Sequence, residues 1–387
     1  MKNYRVAIIG CGNRGKQAGL AYNAHPRTEV VGLCDVSKDR LHTISDELNV
    51  RSIFTNIDEM ITATKPDIVA IPTGTEFHYD VAMQVLEHGV HIDIEKPLCS
   101  NLDEADKVLA KADKAMVKVA VHHQGRVGPS MKGVAKAVSE GKIGKIGYIQ
   151  SNFEPKGYYG GFGLMNIGTH ILNSIIKFSG HCQSIVALAT AHGNLITPDD
   201  VLPGPLGMGT IAGEYITSSL QFDNDVSASY VDHRQGKFAA GGYSFEMLGS
   251  EGRIICEMSD AWWLPQTHYL PDGVYDRWER IPPIYPDHYD PKTGAIEDDY
   301  CFVDEYVAAL DENRDHDCSG KEGLHVMEIM FGIFEAAMSG KRIDLPQENR
   351  DHPLLRWRKE NGLGALPKMP RPWREWLAVE DKRLGRT

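Results

Sequence analysis

No apolar run in this 387-residue chain approaches the roughly 20 residues that a membrane-spanning helix needs. A basic excess is missing too. The formal net charge is −12, which argues against nonspecific binding to nucleic acid or to an anionic membrane, since both require a basic face. The seven cysteines (11, 34, 99, 182, 256, 301 and 318) include no Cys-x-x-Cys pair. Their odd number and the lack of an h-region or cleavage site near Met1 lead us to expect reduced thiols in a cytoplasmic protein. No tight cluster of His, Cys, Asp and Glu has metal-ligand spacing. His122-His123 comes nearest, but neighbours on a strand point to opposite faces, so no metal is expected. No internal repeat is visible.

The chain does have ample length for two domains with sizeable cores, and 42% hydrophobic residues. Strand and helix patterns alternate through its first third. Arg5–Ile9, Glu29–Cys34, Ser52–Phe54, Asp67–Ile71, Val90–Ile94 and Val117–Val121 read as strands. Helices are expected at Gln17–Ala24, from Ser37 to Leu48, and at Ile57–Thr64, Glu76–His88 and Leu102–Ala115. Near-continuous apolar strands separated by helices describe a doubly wound parallel sheet, a Rossmann domain over residues 1–125.

The turn after the first strand reads Gly10-Cys11-Gly12-Asn13-Arg14-Gly15. A lone G-x-G-x-x-G is weak evidence; here it follows a strand and opens a helix. Gly10 allows the tight turn, Gly12 the approach of a pyrophosphate, and Gly15 close helix–strand packing. The free N–H groups of the helix start favour an anion there. Asp35 ends the second strand, where it can accept hydrogen bonds from the adenosine ribose and would repel a 2′-phosphate. NAD is therefore expected over NADP, a preference tempered by Lys38 and Arg40.

Two further signals follow at strand ends. Ile71-Pro72-Thr73 with His78 comes after the fourth strand, and Glu95-Lys96-Pro97 after the fifth. The sixth is followed by Gln124-Gly125-Arg126-Val127-Gly128-Pro129, and a glycine-rich segment runs from Gly160 through Asn166, Gly168 and His170 to Asn173. As an ordered set these motifs make the chain resemble the Gfo/Idh/MocA oxidoreductases across most of its length. The resemblance implies a C-terminal α+β domain over 126–387 built on a large, mostly antiparallel open sheet. It also implies NAD held by Gly10, Gly12, Asn13, Arg14, Gly15, Asp35, Pro72, Thr73, His78, Glu95, Lys96 and Gln124, and a homodimer or homotetramer through the second-domain sheet.

The second half fits on its own pattern. Strands are expected at Ile146–Glu154, Ser184–His192, Glu214–Phe222, Val226–Asp232, Ser244–Leu248 and Arg253–Met258, and helices at Gly168–Phe178, Asp299–Leu310 and Lys321–Ser339. The tail 346–387 carries three tryptophans and is expected to be ordered in part.

Oxidation of a secondary alcohol needs a proton acceptor, a cation beside the developing alkoxide, and positioning. Lys96 is the expected cation and His170, whose free pKa lies near neutrality, the expected base. Asn166 stands where the family often has Asp, and Asn173 replaces a second one; Asn166 can orient a substrate hydroxyl but cannot carry charge. Tyr158, Tyr159, Arg126 and His122 are further candidates for contact with substrate. The aromatic stretch 261–290 reads either as a carbohydrate lid or as a subunit-contact loop. The expected function is NAD-dependent oxidation of a sugar, glycoside or cyclitol hydroxyl. An NAD-dependent glycosidase working through a 3-oxo intermediate is the first alternative, and a non-catalytic sugar sensor the second.

Overall fold

Six short strands, the central ones almost wholly buried, build the first sheet: β1 (Tyr4–Ile9), β2 (Thr28–Cys34), β3 (Ile53–Phe54), β4 (Ile68–Ile71), β5 (His91–Ile94) and β6 (Val119–Val121). All pair in parallel, in the order β3-β2-β1-β4-β5-β6. Helices α1 (Asn13–Ala24), α2 (Lys38–Leu48), α3 (Ile57–Thr64), α4 (Thr75–Glu87) and α5 (Leu102–Ala115) connect them. Local chemistry explains the helix starts: Ser37, Asn56 and Asn101 each accept a backbone N–H at the head of α2, α3 and α5. The strand order reverses direction at β1/β4, so the turns leaving β1, β4 and β5 lie at the switch point where such sheets bind ligands. The structure is a computed structural model describing residues 2–152, 159–234, 244–257, 259–267 and 277–386.

Two compact units emerge, and neither is continuous in sequence. The first joins Met1–Pro129 with Tyr285–Leu324, the second Ser130–Ile284 with His325–Thr387. A single division at residue 125 thus leaves out a returning segment. That segment carries α9 (Glu297–Asp311), whose Tyr300, Phe302 and Tyr306 join Tyr22 and Val127 in the first unit's core. Tyr306 donates its hydroxyl to the Ile92 carbonyl at 2.8 Å, tying α9 to β5.

The second unit is built on β7 (Ile146–Asn152), β8 (Cys182–Ala191), β9 (Asn194–Leu195), β12 (Tyr215–Phe222), β13 (Ser227–His233), β14 (Ser244–Gly249), β15 (Arg253–Cys256), β16 (Ala261–Leu264), β17 (Glu279–Ile281) and β18 (Ile343–Asp344). Their order is β17-β16-β15-β14-β7-β13-β12-β8-β18, with β9 on β8; β7 and β13 pair in parallel and the rest antiparallel. A small pair, β10 (Leu202–Pro203) and β11 (Thr210–Ile211), stands apart. The remaining helices are α6 (Pro129–Ser139), α7 (Gly160–Gly163), α8 (Thr169–Ser179), α10 (Gly320–Ser339), α11 (Pro353–Glu360) and α12 (Trp373–Arg383). The expected alternation of strands holds, and the aromatic stretch supplies β16 and the edge strand β17.

The tail is structural. Trp376 on α12 is fully buried and donates Nε1–H to the Pro203 carbonyl at 2.7 Å. Trp373 stacks on Phe162 with ring centroids 4.9 Å apart. Arg383 bridges Glu380 at 2.7 Å and Asp200 at 2.9 Å. Replacing Trp376 with Ala should cost about 3–5 kcal/mol, the usual scale for deleting a buried aromatic. A urea titration checks this; a midpoint within error of the wild type would show that α12 is an accessory.

Candidate active site

The glycine turn is shaped by contact. Gly10 has φ +107°, and a Cβ there would lie 3.0 Å from Thr73 Cγ2 and 3.1 Å from the Pro72 carbonyl oxygen. A Cβ on Gly15 would stand 2.0 Å from the Gly10 carbonyl oxygen. Gly12, by contrast, has nothing within 4 Å of its Cβ position. It is the N-cap of α1, which has no side-chain cap and no acidic residue in its first turn. The result is an open cradle of backbone N–H groups with the sign an anion requires. Thr73 Oγ1, on the residue that meets Gly10, and Gln124 Oε1, past the end of β6, are buried with no hydrogen-bond partner among the described residues. Two orphaned polar atoms at the strand ends fit a polar ligand, because an unpaired buried oxygen is costly.

Asp35 does more than await a ribose. Its Oδ2 accepts from the Cys11 backbone N–H at 2.7 Å and its Oδ1 from that of Ser37 at 2.8 Å. It thereby holds the glycine turn to the start of α2, and each oxygen keeps a lone pair for a further donor. His78 is fully buried, with Nδ1 2.8 Å from the Pro97 carbonyl and Nε2 3.2 Å from that of Thr73. It ties the turn after β4 to the turn after β5.

Behind these turns lies a buried ionic network. Arg14 Nε donates to Glu95 Oε1 at 2.6 Å, while Nη2 and Nη1 reach the two Asp299 oxygens at 3.1 and 3.3 Å. Glu95 Oε2 accepts from the Lys96 backbone N–H at 3.3 Å. His122 Nε2 lies 3.1 Å from Asp299 Oδ1, and its Nδ1 2.9 Å from Asp93 Oδ1. Tyr22 donates its hydroxyl to Asp93 Oδ2 at 2.9 Å. Burial works against a charged His122, but Asp93 and Asp299 outweigh it and lift its pKa to about 10. Burial likewise opposes ionisation of Asp299, yet His122 and Arg14 hold it down at about 2. Lys96, at the end of β5, is half-buried; burial brings its pKa down from 10.5 to about 8, with Glu95 pulling it up and Arg14 pushing it down.

In the second unit, the glycine segment runs from α7 through a π turn at Leu164–Gly168 into α8. The glycines are needed for close approach: a Cβ would meet the Glu214 carbonyl oxygen at 2.7 Å from Gly160, Asp232 Oδ2 at 1.9 Å from Gly163 and the Tyr230 hydroxyl at 2.4 Å from Gly168. Asn166 sits half-exposed in the π turn, a feature frequent at functional sites. His170 and Asn173 lie on α8 and are buried.

Two family models cover the chain. The oxidoreductase family's NAD-binding Rossmann-fold domain matches residues 4–123, and its C-terminal alpha/beta domain residues 135–345. The chain belongs to the Gfo/Idh/MocA oxidoreductase family. Within it, the D-apiose dehydrogenase of Paraburkholderia graminis is 23% identical over 370 residues, covering 92% of this chain and 93% of the relative. A glycosyl hydrolase family 109 protein of Phocaeicola vulgatus is 31% identical over 112 residues, 27% of this chain and 20% of that one. Among solved structures, the WlbA dehydrogenase of Bordetella pertussis in complex with NADH and UDP-GlcNAcA has a TM-score of 0.69 at 20% identity, covering 90% of this chain and 99% of that one. At that identity the likeness speaks for the fold.

This Gfo/Idh/MocA chain treats the expected site residues unequally. The first unit gathers Gly10, Gly12, Asn13, Arg14, Gly15, Asp35, Pro72, Thr73, His78, Glu95, Lys96 and Gln124 around the ends of β1, β2, β4, β5 and β6. Arg14 turns to carboxylates and not into the cradle. His122 needs correction as a substrate contact, since both its ring nitrogens are spent on Asp93 and Asp299. Arg126 is paired with Glu322 at 2.9 Å. Tyr159 also needs correction: it is fully buried, packs edge-on against Trp376 at 5.1 Å and donates to Glu380 at 3.0 Å. Tyr158 lies outside the described residues. Sequence reasoning missed Asp93 and Asp299. Asp93 had a signal, a carboxylate inside an apolar strand that must be paired; Asp299 had none nearby.

Two outcomes follow from this geometry. Asp35→Ala should narrow the preference for NAD over NADP and also lower stability, as two backbone N–H groups lose their acceptor; parallel titrations with both cofactors check it, and an unchanged ratio would contradict it. The raised pKa of His122 should appear as a pH-dependent stability term, fully present below about pH 6.5 and lost as pH rises toward 10. The stability gap between wild type and His122→Gln should therefore be widest near pH 6 and shrink above neutrality. A gap constant with pH would show that His122 is uncharged.

Proposed function

We propose that this chain is an NAD-dependent dehydrogenase acting on a secondary hydroxyl of a sugar, glycoside or cyclitol, with Lys96 and His170 handling the hydroxyl proton. The observation that carries the reading is Lys96, a half-buried amine whose pKa is drawn to about 8 at the end of β5, beside the open cradle. NAD, when bound, takes up the carbinol hydride at nicotinamide C4. Lys96, mostly protonated at pH 7, donates a hydrogen bond to the developing alkoxide and so eases loss of the hydroxyl proton. His170 accepts that proton, and Asn166 orients the hydroxyl. The names of the relatives support a sugar-like substrate. A reducing, cytoplasmic setting is supported by an odd number of cysteines, all buried and without a Cys-x-x-Cys pair. Exposed Val186 and Leu188 on β8 and Leu195 on β9 support pairing through the large sheet into a homodimer or homotetramer.

A second reading, glycoside cleavage with transient oxidation, is favoured by two observations: Asn166 and Asn173 stand in the segment that resembles the family's Asp-bearing one, and a family 109 hydrolase is among the relatives. A panel of sugars, cyclitols and glycosides with NAD, followed by NADH absorbance and product analysis, separates the two. Stoichiometric NADH supports the dehydrogenase; glycoside cleavage in heavy water with deuterium at the sugar 2-position and no net NADH supports the other. On the active substrate, Lys96→Ala should lower turnover about a hundredfold with little change in NAD affinity. Near-normal turnover would remove Lys96 from the mechanism.

A further inference from the structure

We propose that Asp299 is a positioning residue that fixes Lys96 through Arg14 and Glu95; the inference rests on the role given to Lys96 above. Asp299 has no exposed surface and lies in the first turn of α9, far along the chain from every motif of the Rossmann half. Its two oxygens take the fork of Arg14 at 3.1 and 3.3 Å, and the same guanidinium reaches Gln17 and Glu95. Glu95 in turn accepts from the backbone N–H of Lys96. One carboxylate from α9 thus sets the side chain of a glycine-turn residue, which sets the carboxylate preceding the lysine.

The arrangement decides between two uses of Arg14. An arginine in a glycine turn would ordinarily be assigned to the cofactor's phosphates. Here three of its nitrogens are spent on Asp299, Glu95 and Gln17, a planar fork that a lysine could not reproduce. Without Asp299, the guanidinium keeps one carboxylate and is free to turn toward the cradle, and Glu95 loses its fixed rotamer. A displacement of about 1 Å at a reacting group can cost on the order of a hundredfold in rate. The charged and titratable groups facing this point are Glu95, Asp299, Arg14, His122 and His123, with Asp298 beside Asp299. Removing the negative charge of Asp299 leaves the positive charge of Arg14 less compensated, which disfavours the proton on Lys96.

The test is steady-state kinetics of Asp299→Asn, a near-isosteric change that removes the charge and turns one acceptor oxygen into a donor, with NAD affinity measured separately. The expected result is a kcat lowered tenfold or more, an NAD Kd within about threefold of wild type, and a Lys96-governed limb of the kcat–pH profile moved to lower pH. A purely structural carboxylate would not move that limb. Unchanged kcat, a kcat loss without the pH shift, or a kcat loss matched by an equal loss of NAD affinity would each overturn the proposal. Should Asp299→Asn fail to fold, Arg14→Lys, which keeps the charge but cannot span both carboxylates, should give the same fall in kcat at near-constant NAD affinity, and normal kcat there overturns it. Lys96→Ala, run alongside, separates the two claims. If Lys96→Ala is inactive and Asp299→Asn is normal, only the positioning role falls; if Lys96→Ala is active, both fall.

Discussion

Arg14, half-buried between Glu95 and Asp299, is the contact on which the arrangement of the first unit turns. Three carboxylates, Asp93, Glu95 and Asp299, are answered there by Arg14, His122 and the protonated Lys96, so that the set is close to neutral. Neutrality matters because removing ions from water costs several kcal/mol each and is offset only when partners and hydrogen bonds are complete. Such networks seldom stabilise more than a well-packed apolar cluster would. Their worth lies in geometry: each side chain has one place where its charge is met. In this protein that place determines where the turn after β5, and the amine on it, come to rest.

The same constraint explains why a segment near residue 300 belongs to the first unit. With Glu95 and Arg14 at the carboxyl ends of the strands, His122 Nε2 and the Nη atoms of the guanidinium meet their carboxylate in Asp299, beyond the first 129 residues. The returning α9 supplies Asp299 for both and covers them with Phe302, whose ring lies 4.1 Å from that of His122. Fold and site are completed by one helix.

Much of this was legible in the sequence. Strand and helix positions in the first third follow from local periodicity and capping; the glycine turn and Asp35 belong to one βαβ unit, β1-α1-β2, and Thr73 and Lys96 to another, β4-α4-β5. The misreadings share a cause. His122, Tyr159 and Arg126 looked available because their partners, Asp299, Glu380 and Glu322, lie between 177 and 221 residues away. Pairing over such distances leaves no periodic trace. Asp93 was the exception: a carboxylate within Ile92-Asp93-Ile94 announces a buried partner without saying which. In the second unit the glycine segment was legible by resemblance alone, and the structure supplies the reason for its glycines, the close approach of Asp232 and Tyr230. Burial pushes the Asp232 carboxyl, behind the segment carrying Asn166 and His170, well above the usual range.

The central claim is that burial and a fixed ionic frame tune the Lys96 amine to the pH range in which a hydroxyl proton must be moved. Competitive acetylation across a pH series, with the Lys96 peptide quantified by mass spectrometry against exposed lysines, measures this directly. Half-maximal reactivity near pH 8 is the predicted result. A midpoint near 10.5, the ordinary value for lysine, would contradict it.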